Sequence, residues 1–261
     1  MYEVVKMKGC QNLLVLDDQD RMADFMIMKW EGIAKEAIQE RGYFVAGLSG
    51  GQTPVNFYQR LAEYKGTLPW NKIHIFLVDE RFLPFHHKDS NYRMLRETLL
   101  DKIQIPEKNL HPIPTAGLTP QLSAEAYEED LRIFFRLPLG QFPEFDLILL
   151  GIGEDGHTAS LFPGSPALGE QSRLAFAVML DEIRHHRITL TMPVINHAKH
   201  IVFLVSGKSK AAVSGKVLNR KDPSLPASMV KPNKGELLFL LDLEAGSRLI
   251  EGKRAILNDQ D

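Results

Sequence analysis

The segment Gly151-Ile152-Gly153-Glu154-Asp155-Gly156-His157-Thr158-Ala159-Ser160 places an imidazole two residues from a carboxylate in a loop that carries three glycines. Histidine exchanges a proton near neutral pH, and a neighbouring carboxylate can orient the ring and support its cationic form. A second segment, Leu48-Ser49-Gly50-Gly51-Gln52-Thr53-Pro54, reads as a turn that opens a helix, with Thr53 as the predicted N-cap and Pro54 as the first helical position. Its paired glycines let the backbone approach a ligand, and the unpaired N–H groups of a helix start favour an anion such as phosphate or a sugar acid. The third segment, Val78-Asp79-Glu80-Arg81, brings two carboxylates and a guanidinium to the end of an apolar run. Arg81 could make a bidentate contact with phosphate or carboxylate oxygens, and Asp79 could hold that arginine or a ligand hydroxyl. Mixed charges at a strand end are often only a solvated ion-pair cluster, so the weight of this segment comes from its position.

Other local patterns carry less. Gly47-Leu48-Ser49-Gly50-Gly51 matches the nucleophile-elbow pattern G-x-S-x-G. An elbow starts its helix directly after the serine, whereas the helix signal here comes several residues later, which argues against a serine nucleophile. Gly207-Lys208-Ser209 resembles the end of a nucleotide P-loop, but Val202 stands where its first glycine is required. The pairs His86-His87 and His185-His186 lack further spaced ligands and are expected to be surface residues rather than a metal site.

The elements that must hold these loops alternate between short apolar runs and longer segments of helical period. Strands are predicted at Leu13–Leu16, Tyr43–Leu48, Lys72–Val78, Phe145–Leu150, Leu174–Met179, Arg187–Thr191, His200–Val205 and Glu236–Leu241. Helices are predicted at Asp20–Gln39, Pro54–Tyr64, Asn91–Leu100, Ser123–Phe134 and Ser209–Asn219. Such alternation implies an α/β fold with parallel strands joined by crossover helices. The nearly uninterrupted apolar run Phe145–Leu150 suits a central strand buried on both faces. In an open parallel sheet ligands bind beyond the carboxyl ends of the strands, and the three chemical loops all follow predicted strands.

Composition narrows the function class. The 261 residues are 44% hydrophobic, enough for one α/β domain spanning 1–261 with both sheet faces covered. A formal charge of -2 lacks the basic excess of a nucleic-acid surface, so any phosphate recognition is local and no nucleic-acid partner is expected. Cys10 is the only cysteine, which excludes an intrachain disulfide. Met1–Lys8 carries Glu3, Lys6 and Lys8 without an apolar signal run, and no stretch approaches the roughly 20 apolar residues of a membrane span. A soluble cytoplasmic protein with no membrane partner is the expectation.

Taken in order, the segments Ser49–Pro54, Asp79-Glu80-Arg81 with Asp89-Ser90-Asn91-Tyr92-Arg93, and Gly151–Pro163 resemble the signature segments of 6-phosphogluconolactonases. Arg187-Ile188-Thr189-Leu190-Thr191 with Pro193-Val194-Ile195-Asn196, and Leu225-Pro226-Ala227-Ser228, are similar to that family too. The resemblance runs from about Ser49 to Leu241. It implies a predominantly parallel sheet flanked by helices, in the ribose-isomerase/CoA-transferase-like (NagB-type) sandwich shared with glucosamine-6-phosphate deaminases. It further implies a small-molecule phosphosugar lactone as partner, no metal or organic cofactor, and a monomer or small homo-oligomer.

Carried over residue by residue, His157 matches the family's catalytic histidine and Arg81 an arginine that binds substrate and stabilises charge. Ser49, Gly50, Gly51 and Thr53 match the phosphosugar loop. Lys210 lies in Ser206-Gly207-Lys208-Ser209-Lys210-Ala211, similar to the family's G-x-x-K-A segment, and is assigned to phosphate with Arg187 as companion. Asp181–His186 departs from the family in lacking a proline-rich lead before Arg187. Lactone hydrolysis would need a base for water, donors for the oxyanion and an acid for the ring oxygen; one imidazole can serve both proton transfers, with Asp155 orienting it.

Two rival readings remain. A glucosamine-6-phosphate deaminase or isomerase resembles D-E-Y after the third strand and D-G-H-I-A-F-N-E-P in the histidine loop. Here the corresponding residues are Asp79-Glu80-Arg81 and Asp155-Gly156-His157-Thr158-Ala159-Ser160-Leu161-Phe162-Pro163, without the acidic partner after the histidine. A non-catalytic sugar-phosphate sensor on the same fold would have no need of the Asp155/His157 pair, and no helix-turn-helix segment is read ahead of the domain.

Overall fold

The computed structural model describes residues 3–6, 11–66, 68–181, 185–218, 222 and 224–249. Of the segments read above, Met1, Lys8, Cys10, the stretch 182–184 and Asn219 lie outside the described residues.

The chain begins with β1 (Glu3–Lys6) and β2 (Gln11–Leu16), followed by α1 (Gln19–Arg41), β3 (Phe44–Leu48) and α2 (Thr53–Glu63). Next come β4 (Ile73–Leu77), β5 (Asp79–Arg81), α3 (Asn91–Thr98), β6 (Leu110–His111), α4 (Pro120–Phe135) and β7 (Leu147–Leu150). The remainder is β8 (Ala175–Val178), β9 (Arg187–Leu190), α5 (Met192–Asn196), β10 (His200–Val205), α6 (Ala211–Leu218), α7 (Pro226–Met229) and β11 (Glu236–Asp242). An eight-stranded sheet has the order β1-β2-β11-β10-β7-β3-β4-β6. It is parallel except for β1, which pairs antiparallel with β2.

The apolar patterns explain this order. All four residues of β7 are buried, as an inner strand covered on both faces requires, and it sits between β10 and β3. Phe145 and Asp146, read as part of that strand, precede it. The Asp146 carboxylate is buried, accepts the Val45 N–H at 2.8 Å and pairs with Arg41. Burial raises its pKa while the Arg41 contact opposes the rise. Helix α1 starts where the Asp18 side chain accepts the Arg21 N–H, and it buries Met22, Met26, Trp30 and Ile33 on one face. Trp30 then meets Phe44 edge-on at 4.9 Å, which ties the helix to the sheet.

One expectation fails here. The segments read at Leu174–Met179 and Arg187–Thr191 are strands but do not join the parallel sheet. β8 and β9 pair antiparallel with each other, and β9 pairs antiparallel with β5 in a separate sheet of order β5-β9-β8. Asp79–Arg81, read as a loop, is therefore a strand. Val78 is the junction: its N–H donates to Leu48 O at 2.9 Å in the large sheet, and its carbonyl accepts the Leu190 N–H at 2.8 Å in the small one. The two middle residues of β8 are only partly buried, so the doubly buried signal of an inner parallel strand is absent there.

Candidate active site

The carboxyl ends of β3, β7 and β10 open on a cleft of about 780 Å³. Its wall includes Ser49, Gly50, Gly51 and Thr53 after β3, Asp79 from β5, and His157 after β7. Arg187 of β9 and Lys210 after β10 complete the set of candidates found there. Five segments distant in sequence thus meet where the parallel-sheet rule places a ligand.

His157 is held from two sides. Its Nδ1 lies 2.6 Å from Oδ1 of Asp155, and the same oxygen accepts the His157 backbone N–H at 3.1 Å. Burial raises the Asp155 pKa, but the His157 amide and ring outweigh it, so the carboxyl is held below its ordinary value and is ionised at neutral pH. An ionised acceptor places a ring proton on Nδ1, so in the neutral tautomer it is Nε2 that carries the lone pair. Phe162 packs against the imidazole with ring centroids 4.6 Å apart. An apolar ring thus sits where the deaminase reading requires an acidic partner.

Ser49 cannot act as the nucleophile of an elbow. Its hydroxyl is buried and donates to Leu149 O at 2.6 Å, while its carbonyl accepts from Tyr58 Oη at 2.8 Å. Ser49 instead ties the glycine loop to β7. Helix α2 begins one residue before the predicted start: Gln52 is the N-cap, without a side-chain cap bond, and Thr53 is the first helical residue. The helix start still opens on the cleft, where its orphan N–H groups favour an anion.

Asp79 and Glu80 have different work. Asp79 is buried at the cleft and accepts the Ser160 hydroxyl at 2.6 Å, which joins β5 to the histidine loop. Glu80 is fully buried away from the cleft and accepts the Arg81, Asn91 and Tyr92 N–H groups and the Ser90 hydroxyl. Burial pushes its pKa up, and the four donors offset part of that rise. Its carboxylate serves the N-terminus of α3, a structural role.

Arg81 is not brought into the cleft wall. Its Nη1 donates to Asp89 O at 2.6 Å. The guanidinium at the cleft is that of Arg187, the cross-strand register partner of Arg81. Burial, and next the nearby Arg81 charge, lower the Arg187 pKa, although an arginine stays protonated at any pH the fold tolerates. Asp155 also stands outside the wall proper and reaches it through His157.

The structure adds residues that the sequence left unassigned. Gln19 and Ser206 line the cleft, and Gln19 Nε2 donates to Ser206 Oγ at 2.6 Å. Ser206 Oγ and the Gly207 N–H both donate to the buried Asp242 carboxylate, which anchors the turn that carries Lys210. Asn91 also lines the cleft. Gln19 and Asp242 are signalled only as polar residues at the edge of an apolar run, too common to select them, whereas Asn91 and Ser206 fall inside segments that resemble the family's but carry no assigned role there. Among the described residues no group of three or more His, Cys, Asp or Glu is arranged to hold a metal, and His87 and His185 contact each other edge-on at 5.8 Å. No helix among the described residues is long and apolar enough to cross a membrane.

Comparison with known proteins agrees with this geometry. Residues 17–239 match the model of the family described as glucosamine-6-phosphate isomerases/6-phosphogluconolactonase. The 6-phosphogluconolactonase of a Synechocystis species is 48% identical over 216 residues, covering 82% of this chain and 88% of that protein. The 6-phosphogluconolactonase of a Nostoc species is 41% identical over 241 residues, covering 90% of this chain and 97% of that protein. The three-dimensional structure of 6-phosphogluconolactonase from Trypanosoma brucei superposes with a TM-score of 0.81 at 30% identity, over 91% of this chain and 98% of that one. With the mainly parallel helix-flanked sheet and most of the chain matched, the protein belongs to the glucosamine-6-phosphate isomerase/6-phosphogluconolactonase family.

Proposed function

We propose that this protein hydrolyses 6-phospho-D-glucono-1,5-lactone to 6-phosphogluconate, the hydrolytic step of the oxidative pentose phosphate pathway. The observation that carries the reading is His157, tied through Nδ1 to Asp155 and facing the same cleft as the anion-ready glycine loop, Arg187 and Lys210. The activity named for the similar cyanobacterial proteins supports it.

In this mechanism Nε2 of His157 takes a proton from water as the water oxygen bonds to the lactone carbon. Asp155 holds the ring and supports the imidazolium. The tetrahedral oxyanion is met by Arg187, with the Arg81 charge beside it across the strand pair. The carbon to ring-oxygen bond then breaks, and His157 returns its proton to that oxygen, giving an open-chain acid with a free hydroxyl. Lys210 and the α2 start, with Gly51 and Thr53, hold the phosphate, while Ser49 and Gly50 shape the loop beside it. Asp79 accepts a sugar hydroxyl. Near-neutral charge and a single cysteine fit a cytoplasmic place of action.

The test is hydrolysis of freshly generated lactone against its spontaneous rate. The full chain is expected to accelerate the reaction, and His157→Ala to reduce kcat by about 10²- to 10⁴-fold with an unchanged circular dichroism spectrum. A folded His157→Ala protein as fast as the parent sinks the reading.

A further inference from the structure

Asn91 is 97% buried at the start of α3, yet it lines the cleft. Its backbone N–H is fixed by Glu80 at 2.8 Å. Its side-chain Nδ2 lies 2.9 Å from the Asp79 carbonyl and 3.4 Å from Asp79 Oδ1. Both of these partners are acceptors, so the amide can be oriented only with nitrogen toward Asp79 and Oδ1 turned away. Oδ1 is thereby placed against Gly50: a Cβ on Gly50 would stand 1.9 Å from it and 2.3 Å from Cγ. The glycine at that position is required by Asn91, because the amide fills the space of a side chain.

These contacts form one connected path. Gly50 lies against the Asn91 amide, the amide is bonded to Asp79, and Asp79 Oδ2 accepts the hydroxyl of fully buried Ser160 in the histidine loop. Four positions thus join the glycine loop, β5 and the histidine loop. We infer that Asn91 is a positioning residue of the active site, setting the Gly50–Gly51 backbone and the Asp79 carboxylate in register with His157. The inference rests on the lactonase reading and deepens it. A displacement of about an ångström between substrate and base costs on the order of 10²-fold in rate, so a residue that never moves a proton can control kcat through alignment.

The experiment uses the full chain and 6-phosphogluconolactone, with kcat, KM and thermal midpoint measured for Asn91→Ala, Gly50→Ala and the double variant. Each single change is expected to lower kcat by about tenfold or more, with a smaller rise in KM, because alignment is lost while Lys210 and the α2 start still grip the phosphate. The decisive expectation is non-additivity: removing the amide makes room for the new methyl, so Gly50→Ala should cost little further in the Asn91→Ala background. Losses that multiply, or a loss confined to KM, overturn the assignment. Asn91→Asp keeps the shape and removes both donors, so it stays informative if truncation unfolds the chain. A kcat as low as that expected for Asn91→Ala supports the inference, and a parental kcat overturns it. Absence of lactone turnover by the unmodified protein would sink the functional reading itself, whereas turnover with additive variants sinks only the role of Asn91.

Discussion

Gly153 lies under the imidazole of His157 so closely that a Cβ at residue 153 would stand 2.0 Å from Nδ1 and 2.7 Å from Oδ1 of Asp155. The turn is closed by the Gly153 N–H donating to His157 O at 2.8 Å, so loop backbone and ring share one small volume. Gly153→Ala is expected to push the ring aside rather than unfold the protein, because the side chains in the way sit at the partly exposed rim of the cleft. A kcat reduced by about 10²-fold with a thermal midpoint near the parent's is the predicted result. Parental kcat would show that the imidazole position does not matter.

Asp155 separates charge from shape. Asp155→Asn keeps an oxygen for the His157 amide but removes the negative charge that supports the imidazolium. A kcat lower by about tenfold to 10²-fold is expected, with KM little changed. Steady-state kinetics showing equal kcat would reduce Asp155 to a loop-forming residue.

Lys210 and Arg81 should behave differently although both are cationic candidates. Lys210→Ala is expected to raise KM for the phosphorylated lactone by about tenfold, with no effect on unphosphorylated gluconolactone, because only the phosphate contact is lost. Arg81→Ala, whose Nη1 is engaged by Asp89 O outside the cleft, is expected to lower kcat less than Arg187→Ala does. The reverse ranking would place Arg81 on the substrate.

His74 makes stability depend on pH. Burial, and next the neighbouring His111, depress its pKa from 6.5 to about 4. Its Nδ1 lies 3.3 Å from Nε2 of His111, whose Nδ1 lies 2.9 Å from Asp130. Because the unfolded chain binds this proton more readily, the stability from neutral His74 is complete above about pH 6.5 and is lost as pH falls toward about 4. Allowing for partial exposure, the loss is about 1–2 kcal/mol. Urea denaturation at pH 7.5 and 4.5 should show a smaller pH difference in His74→Gln than in the parent.

Much of the site was legible because its chemistry lies within short segments. Asp155 and His157 are two residues apart, and Ser49–Thr53 carries both a turn and a helix start, so local spacing was informative. The place of Arg81 relative to the cleft is not legible in the sequence. Alternation puts Asp79 and Arg81 on the same side of β5, and only the pairing of Asp79–Arg81 with β9 sets Arg187 beside Arg81 and at the cleft. The Thr53-Pro54 signal puts the start of α2 one residue late, within the usual fraying of helix ends. Gln19, Ser206 and Asp242 were missed because each acts through a partner far away in the chain: 187 positions separate Gln19 from Ser206.

The sequence by itself determined the alternation of strands and helices, the buried run that became β7 and the Asp155–His157 pair, because these depend on neighbours along the chain. Tertiary structure alone decided which strands left the parallel sheet, which guanidinium met the cleft, and that Asn91 fills the space above Gly50. Those outcomes depend on strand pairing and close packing between distant segments, where a single register decides which side chain faces the ligand.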